Sequence, residues 1–265
     1  MSDPVLLNRQ DGIATITLNQ PDHLNALSKE LQLAFLETLN DLRSSEDPLR
    51  CLVVEGAGDA FSAGGDIEAM KERFESDATP DMAVQYLEET TNELMARLVR
   101  FPAPTVAKVN GPAVGAGANV AIACDVQLAR EDATIGFVFR KVGLAIDAGT
   151  SYLLPRLVGL NTAKELVYTG EFVEPQRALD LGLYNHVYET DSYEDDCKEF
   201  IDRIASGPTV ALRHSKRLLE SGLQKSLEEA LQDEVANQGM IFETEDHREG
   251  VDAFLEDRSP DYRGK

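Results

Sequence analysis

Two short loops of small residues carry the chemistry expected of this chain. The first is Ala60-Phe61-Ser62-Ala63-Gly64-Gly65-Asp66-Ile67. The second is Val109-Asn110-Gly111-Pro112-Ala113-Val114-Gly115-Ala116-Gly117-Ala118-Asn119. Each follows a β-branched apolar run, Cys51-Leu52-Val53-Val54 in one case and Thr105-Val106-Ala107-Lys108-Val109 in the other. Each leads into a segment with helical pattern. Small residues at such a turn let a ligand approach bare backbone N–H groups, and a helix N-terminus favours negative charge there. One loop of this kind is more often a tight turn than a site. Two in one domain can aim two donors at a single oxygen, which is an oxyanion hole. The glycine spacing is not that of a dinucleotide fingerprint, and no acidic residue stands where a ribose would need it. No GxxxxGK[ST] phosphate loop is present.

The elements that must position these loops can be read from periodicity. Residues 13–18 alternate apolar and polar and predict a strand. Residues 28–43 place Leu31, Phe35, Leu39 and Leu42 at helical spacing behind Ser28 as N-cap. A strand over 50–55 precedes the first loop, and a short helix begins at Asp66. Residues 81–100 predict one long helix bearing Leu87, Leu94 and Leu98, which Pro102 and Pro104 end. A strand over 104–109 leads into the second loop, then an apolar helix over 116–123 and a strand over 124–129. This alternation predicts an α/β layer structure with right-handed crossovers. From about residue 190 the pattern turns helical, over 192–205, 208–222 and 225–255. These changes suggest a core over 1–190 and a helical region over 191–265. Leu227, Ala230, Leu231 and Val235 form one stripe, which on a terminal helix is usually core packing.

Taken together, the two loops resemble signature segments of the crotonase family, the enoyl-CoA hydratase/isomerases. The resemblance runs along nearly the whole chain. Asn19-Gln20-Pro21-Asp22-His23-Leu24-Asn25-Ala26-Leu27 is similar to the family's NxPxxxNAL segment. Gly143-Leu144-Ala145-Ile146-Asp147-Ala148-Gly149-Thr150 is similar to its third active-site segment. Ala178 to Leu183 and Glu249 to Glu256 resemble two later ones. The resemblance implies a crotonase-like spiral of ββα repeats with a C-terminal α-helical trimerisation region. It implies an acyl-CoA thioester as substrate, with coenzyme A part of the substrate and no separate cofactor or metal. A homotrimer or homohexamer is implied as well.

Mapped residue by residue, the resemblance makes the N–H groups of Gly65 and Ala116 the two oxyanion donors. It gives contacts with the CoA portion to His23, Leu24, Ala26, Ala63, Asp66 and Ile67. The two glutamates of typical hydratases fall at Asn119 and Phe139 here. An amide and a phenyl ring cannot move a proton, so ordinary hydration is not expected. Asp147 is a carboxylate where the dienoyl-CoA and epoxyphenylacetyl-CoA isomerase types of the family carry an active-site base. An aspartate ahead of a helix can also be only its N-cap, and one residue can fill both roles. Asn119 would bond substrate or water, or simply pack. Phe137, Phe139, Met70 and Phe74 are candidates for an apolar acyl pocket, although aromatics so placed are more often core. The leading expectation is a double-bond-shifting or epoxide ring-expanding isomerase. A hydratase or dihydroxynaphthoyl-CoA synthase-like lyase, and an acyl-CoA-binding member without catalysis, are the alternatives.

The chain has 265 residues and is 43% hydrophobic, enough for one sizeable core. No apolar run is long enough to span a bilayer. Met1-Ser2-Asp3-Pro4 lacks the features of a signal peptide, so a cytoplasmic protein is expected. Cys51, Cys124 and Cys197 are far apart, without metal spacing, and should be reduced thiols. His23, His186, His214 and His247 form no ligand pair. The net charge of −22 disfavours nucleic acid and anionic membranes as partners. The acid is spread over the chain, at Glu88-Glu89, Glu194-Asp195-Asp196, Glu228-Glu229 and from Glu243 to Asp246. A coat of this kind suits a halophilic protein, because molar salt shortens the range of charge repulsion to about 3 Å. The melting temperature is expected to rise between about 0.1 and about 2 M KCl as self-repulsion is screened. Differential scanning calorimetry across that range checks this, and a flat or falling curve removes the inference.

Overall fold

The computed structural model describes residues 3–45 and 49–265, so Met1 and Ser2 of the N-terminal segment lie outside the described residues. The chain opens with a hairpin of β1 (Val5–Gln10) and β2 (Ile13–Leu18). Asp11 and Gly12 join the strands with φ values of 52° and 79°. That left-handed pair suits the mirror-image turn whose twist matches an antiparallel ribbon. The edge strand β1 is mostly exposed and carries no alternating pattern, which is why periodicity did not mark it. Ser28 caps α1 (Lys29–Ser44) as expected, accepting the Leu31 N–H at 3.2 Å. Then follow β3 (Cys51–Gly56), α2 (Ile67–Phe74) and α3 (Pro80–Leu87).

The expected long helix is interrupted. A π-helical turn over Glu88–Asn92 separates α3 from α4 (Glu93–Val99). The wider turn faces buried Thr90 and Thr91 inward, and the Thr91 hydroxyl donates to Gln32 Oε1 on α1 at 2.7 Å.

The middle of the chain repeats a unit of long strand, short strand and helix. One turn holds β4 (Thr105–Val109), β5 (Ala113–Val114) and α5 (Ala116–Ala123). The next holds β6 (Val126–Arg130), β7 (Ile135–Gly136), a 3-10 turn over Val138–Val142 and α6 (Thr150–Val158). The helices α7 (Leu160–Thr169) and α8 (Pro175–Leu181) lead to β8 (His186–Tyr188). The long strands build one sheet in the order β1-β2-β3-β4-β6-β8, parallel from β2 onward. The short ones form a second row: Ser62 pairs with Ala113, β5 with β7, and Ile135 with Val173. Two rows advancing together make the expected spiral of ββα units.

Both faces of the sheet are covered, which explains the near-continuous apolar runs of β3 and β4. Leu52 and Val54 point into the main core with Phe35, Phe61, Leu94 and Leu98. Cys51 and Val53 point the other way, against Tyr193, Cys197 and Ile201 of α9 (Tyr193–Ala205). All three cysteines are buried free thiols. The chain ends with α10 (Thr209–Gly222), α11 (Leu227–Ile241) and α12 (Glu245–Leu255). Core packing does not hold for the stripe on α11: Leu227, Leu231 and Val235 are 69, 49 and 74% exposed. No helix among the described residues is long and apolar enough to cross a membrane.

Candidate active site

The two glycine loops are joined edge to edge. Ser62 and Ala113 form a parallel bridge, in which the Val114 N–H donates to the Ser62 carbonyl at 2.9 Å. Gly64, with φ of 86°, presses against the second loop. A Cβ there would lie 2.3 Å from the Val114 carbonyl oxygen and 3.2 Å from the Ala116 nitrogen. Only a residue without a side chain allows both that φ and that approach. Gly65 follows directly, with the Met70 methyl 2.6 Å from where its Cβ would be. Ala116 is the first residue of α5, so its N–H has no partner within the helix. Among the described residues, neither the Gly65 nor the Ala116 N–H donates a hydrogen bond. The Gly115 N–H is spent on the Gly136 carbonyl at 2.7 Å. The free Ala116 donor therefore stands at the positive end of a buried helix, and the free Gly65 donor follows the glycine that packs against it.

A third loop is bolted to the first of these by Asn25, which is fully buried. Its carboxamide donates to the carbonyls of Ala57 at 2.9 Å and Ala60 at 2.8 Å. Its Oδ1 accepts the Gln20 N–H at 2.9 Å, and its own carbonyl accepts the Ser62 hydroxyl at 2.7 Å. Leu24 and Asn25 are both left-handed, with φ of 50° and 54°. The Ala63 N–H donates to the Leu24 carbonyl and the Leu27 N–H to the Gly64 carbonyl, at 2.8 and 2.7 Å. His23, Leu24 and Ala26 are thereby held beside Ala63, Asp66 and Ile67. His23, Leu24 and Ile67 are exposed there. Asp66 caps α2, its carboxylate accepting the Ala69 N–H at 2.9 Å. Asn25 is the supporting residue that motif reading passed over, although it stands inside the Asn19 to Leu27 segment.

Asp147 is half-buried on the loop before α6. Its Oδ1 is buried and has no hydrogen-bond partner. Burial pushes the carboxyl above the usual carboxylate range, and a hydrogen bond to its own backbone opposes this in part. The capping role is not seen: Gly149 is the N-cap of α6, with no side-chain cap bond. Asn119 is fully buried and occupied within the fold. Its Nδ2 donates to the Asp147 carbonyl at 3.2 Å and its Oδ1 accepts the Thr150 hydroxyl at 2.9 Å. Asn119 lies three residues after Ala116 on α5, one turn along, so a single helix links the donor pair to the carboxylate loop.

Of the aromatic candidates, Phe139 is buried outside the main apolar cluster and its carbonyl accepts the Leu144 N–H at 3.1 Å, which ties it to the Asp147 loop. Phe137 is plain core. Phe74 is 87% exposed at the end of α2 and encloses nothing within this chain. Unpaired N–H donors can hold a carbonyl oxygen, and a partly desolvated carboxylate can take a proton from the adjacent carbon.

Comparison with known proteins fits this geometry. The family model described as enoyl-CoA hydratase/isomerase matches residues 8–265. The chain is 32% identical over 265 residues to 1,2-epoxyphenylacetyl-CoA isomerase of Escherichia coli (strain K12), covering 100% of both. It is 31% identical to 2,3-dehydroadipyl-CoA hydratase of the same organism, over 98% of this chain and 99% of that one. The crystal structure of an enoyl-CoA hydratase from Bacillus anthracis superposes with a TM-score of 0.90 at 30% identity, covering 99% of this chain and 100% of that one.

Replacing Gly64 by alanine would drive a methyl into the Val114 carbonyl and part the two loops. Gly64→Ala is expected to lower kcat on an acyl-CoA substrate by about 10²–10³-fold, the loss typical of one oxyanion donor. Steady-state kinetics on the folded variant check this, and a near-normal rate would show that the loops do not form the hole.

Proposed function

The chain belongs to the enoyl-CoA hydratase/isomerase family, and on that premise we propose that it is an acyl-CoA isomerase with one carboxylate base, Asp147. The thioester carbonyl sits between the N–H groups of Gly65 and Ala116. The Asp147 carboxylate takes a proton from the carbon next to the carbonyl. The C–H electron pair moves into the conjugated system, and the two donors stabilise the charge that builds on oxygen. Asp147 then returns the proton two carbons further along, and the double bond moves one position toward the thioester. Atoms and electrons balance without a redox partner. His23, Leu24, Ala26, Ala63, Asp66 and Ile67 line the approach and take the CoA portion, largely through backbone.

The observation that carries this reading is the buried, unpartnered Oδ1 of Asp147. A carboxylate with one oxygen buried and without a partner is a stronger base than an exposed one. Hydration fits less well. It needs a group to deprotonate water, and the amide of Asn119 is consumed inside the fold while Phe139 has no proton to give.

We also propose that the protein assembles as a trimer or a pair of trimers. The support is the apolar surface left open on the terminal helices, where Leu231 and Val235 of α11 and Phe254 and Leu255 of α12 are exposed. Patches of this kind on a soluble chain usually mark contact surfaces. Light scattering in molar KCl should return a mass of three or six chains, and a monomer would defeat the proposal.

Asp147→Asn keeps the shape and removes the basicity. It should lower kcat on a 3-enoyl-CoA by about 10²–10⁴-fold, with acyl-CoA affinity by calorimetry nearly unchanged. The wild-type kcat should fall with acidification through the raised Asp147 pKa, at a pH above the ~3.9 of an ordinary aspartate. The stability effect has the opposite sense. A raised carboxyl stabilises the fold fully below its unfolded pKa, and that contribution is lost as pH rises through the folded one. Asp147→Asn should therefore be at least as stable as wild type at neutral pH. A variant with near-normal kcat would sink the assignment.

A further inference from the structure

We propose that Thr150 is a positioning residue for the proton transfer, its single hydroxyl proton shared between the Asp147 carbonyl and Asn119 Oδ1 so that the turn aims the carboxylate at the acyl chain. The inference rests on the reading of Asp147 as the base. Nothing within the described chain other than the backbone holds the Asp147 carboxylate, since its Oδ1 lacks a partner. Its direction must therefore come from the peptide to which it is attached.

That peptide is held with unusual redundancy. The Asp147 carbonyl oxygen has three donors within reach: the Thr150 N–H at 2.9 Å, the Thr150 hydroxyl at 2.7 Å and the Asn119 Nδ2 at 3.2 Å. The Thr150 hydroxyl also lies 2.9 Å from Asn119 Oδ1. Thr150 and Asn119 are both fully buried, so no water competes for these bonds. They surround a strained backbone, in which Ala148 has φ of 46° and Gly149 follows with 81°. A left-handed alanine persists only where its surroundings over-determine it. Here the hydroxyl and the carboxamide do so.

The clip also sets a distance. Asn119 is on the first turn of α5, and Ala116 begins that helix. Base and oxyanion donor are thus fixed to one rigid element, with Thr150 as the bolt between the helix and the loop. A misplacement of about 1 Å in such an arrangement can cost about 10²-fold in rate.

The test uses the full-length protein with a 3-enoyl-CoA as substrate. Thr150→Val removes the hydroxyl and keeps the shape. It should lower kcat by about 10–10²-fold, leave acyl-CoA affinity by calorimetry within about 3-fold, and move the acid limb of the kcat–pH profile. Thr150→Ser keeps the hydroxyl and should recover the rate. In an Asp147→Asn background, Thr150→Ala should change the remaining kcat by less than about 2-fold, because a residue acting only through Asp147 has nothing left to position. An additive loss in that background overturns the proposal. So does a Thr150→Ser enzyme as slow as Thr150→Val, or a Thr150→Val enzyme of normal kcat. Should Thr150→Val not fold, the serine variant and the double-mutant comparison each still decide. If Asp147→Asn alone leaves kcat intact, the reading of the base fails. If Asp147→Asn is slow and the Thr150 variants are not, only the positioning role fails.

Discussion

The site depends on two backbone segments touching without side chains between them. Gly64 lies so close to the Val114 carbonyl that a Cβ there would be 2.3 Å from its oxygen, which no side chain permits, and the Ala116 nitrogen is next nearest. Ser62 and Ala113 zip the same loops together a few residues earlier. That contact brings together two loops whose Gly65 and Ala116 N–H groups no secondary structure uses. The surrounding architecture makes the contact possible. Parallel strands β3 and β4 end side by side, and the short row of bridges turns both chains through the same corner. Asn25 then fixes the third loop to the first, with every polar atom of its carboxamide engaged.

The same helix serves two functions at once. The free end of α5 presents the Ala116 N–H, and its first turn carries Asn119 to the loop of Asp147. α5 can sit this deep because it is apolar on all sides. Asn119 is the polar exception among its buried residues, and its carboxamide is satisfied by Thr150 and Asp147. Burying Asp147 carries a cost in stability when the carboxylate is charged.

The sequence by itself determined the α/β alternation, most of the strands and helices near the site, and the loops bearing Gly65, Ala116 and Asp147, while its family resemblance supplied the spiral. These were legible because glycine spacing, apolar periodicity and a chain of ordered motifs are local properties. β1 escaped because an exposed edge strand needs no alternation. The π turn at Glu88–Asn92 escaped because the bond its Thr91 makes to Gln32, 59 residues away, leaves no local pattern. Tertiary structure alone decided the roles. It left Phe74 in solvent and turned the α11 stripe outward. It consumed Asn119 inside the fold, and it denied Asp147 both a capping bond and any partner for Oδ1. Burial and hydrogen-bond satisfaction depend on what distant segments bring to a point in space, and no local pattern of residues encodes that.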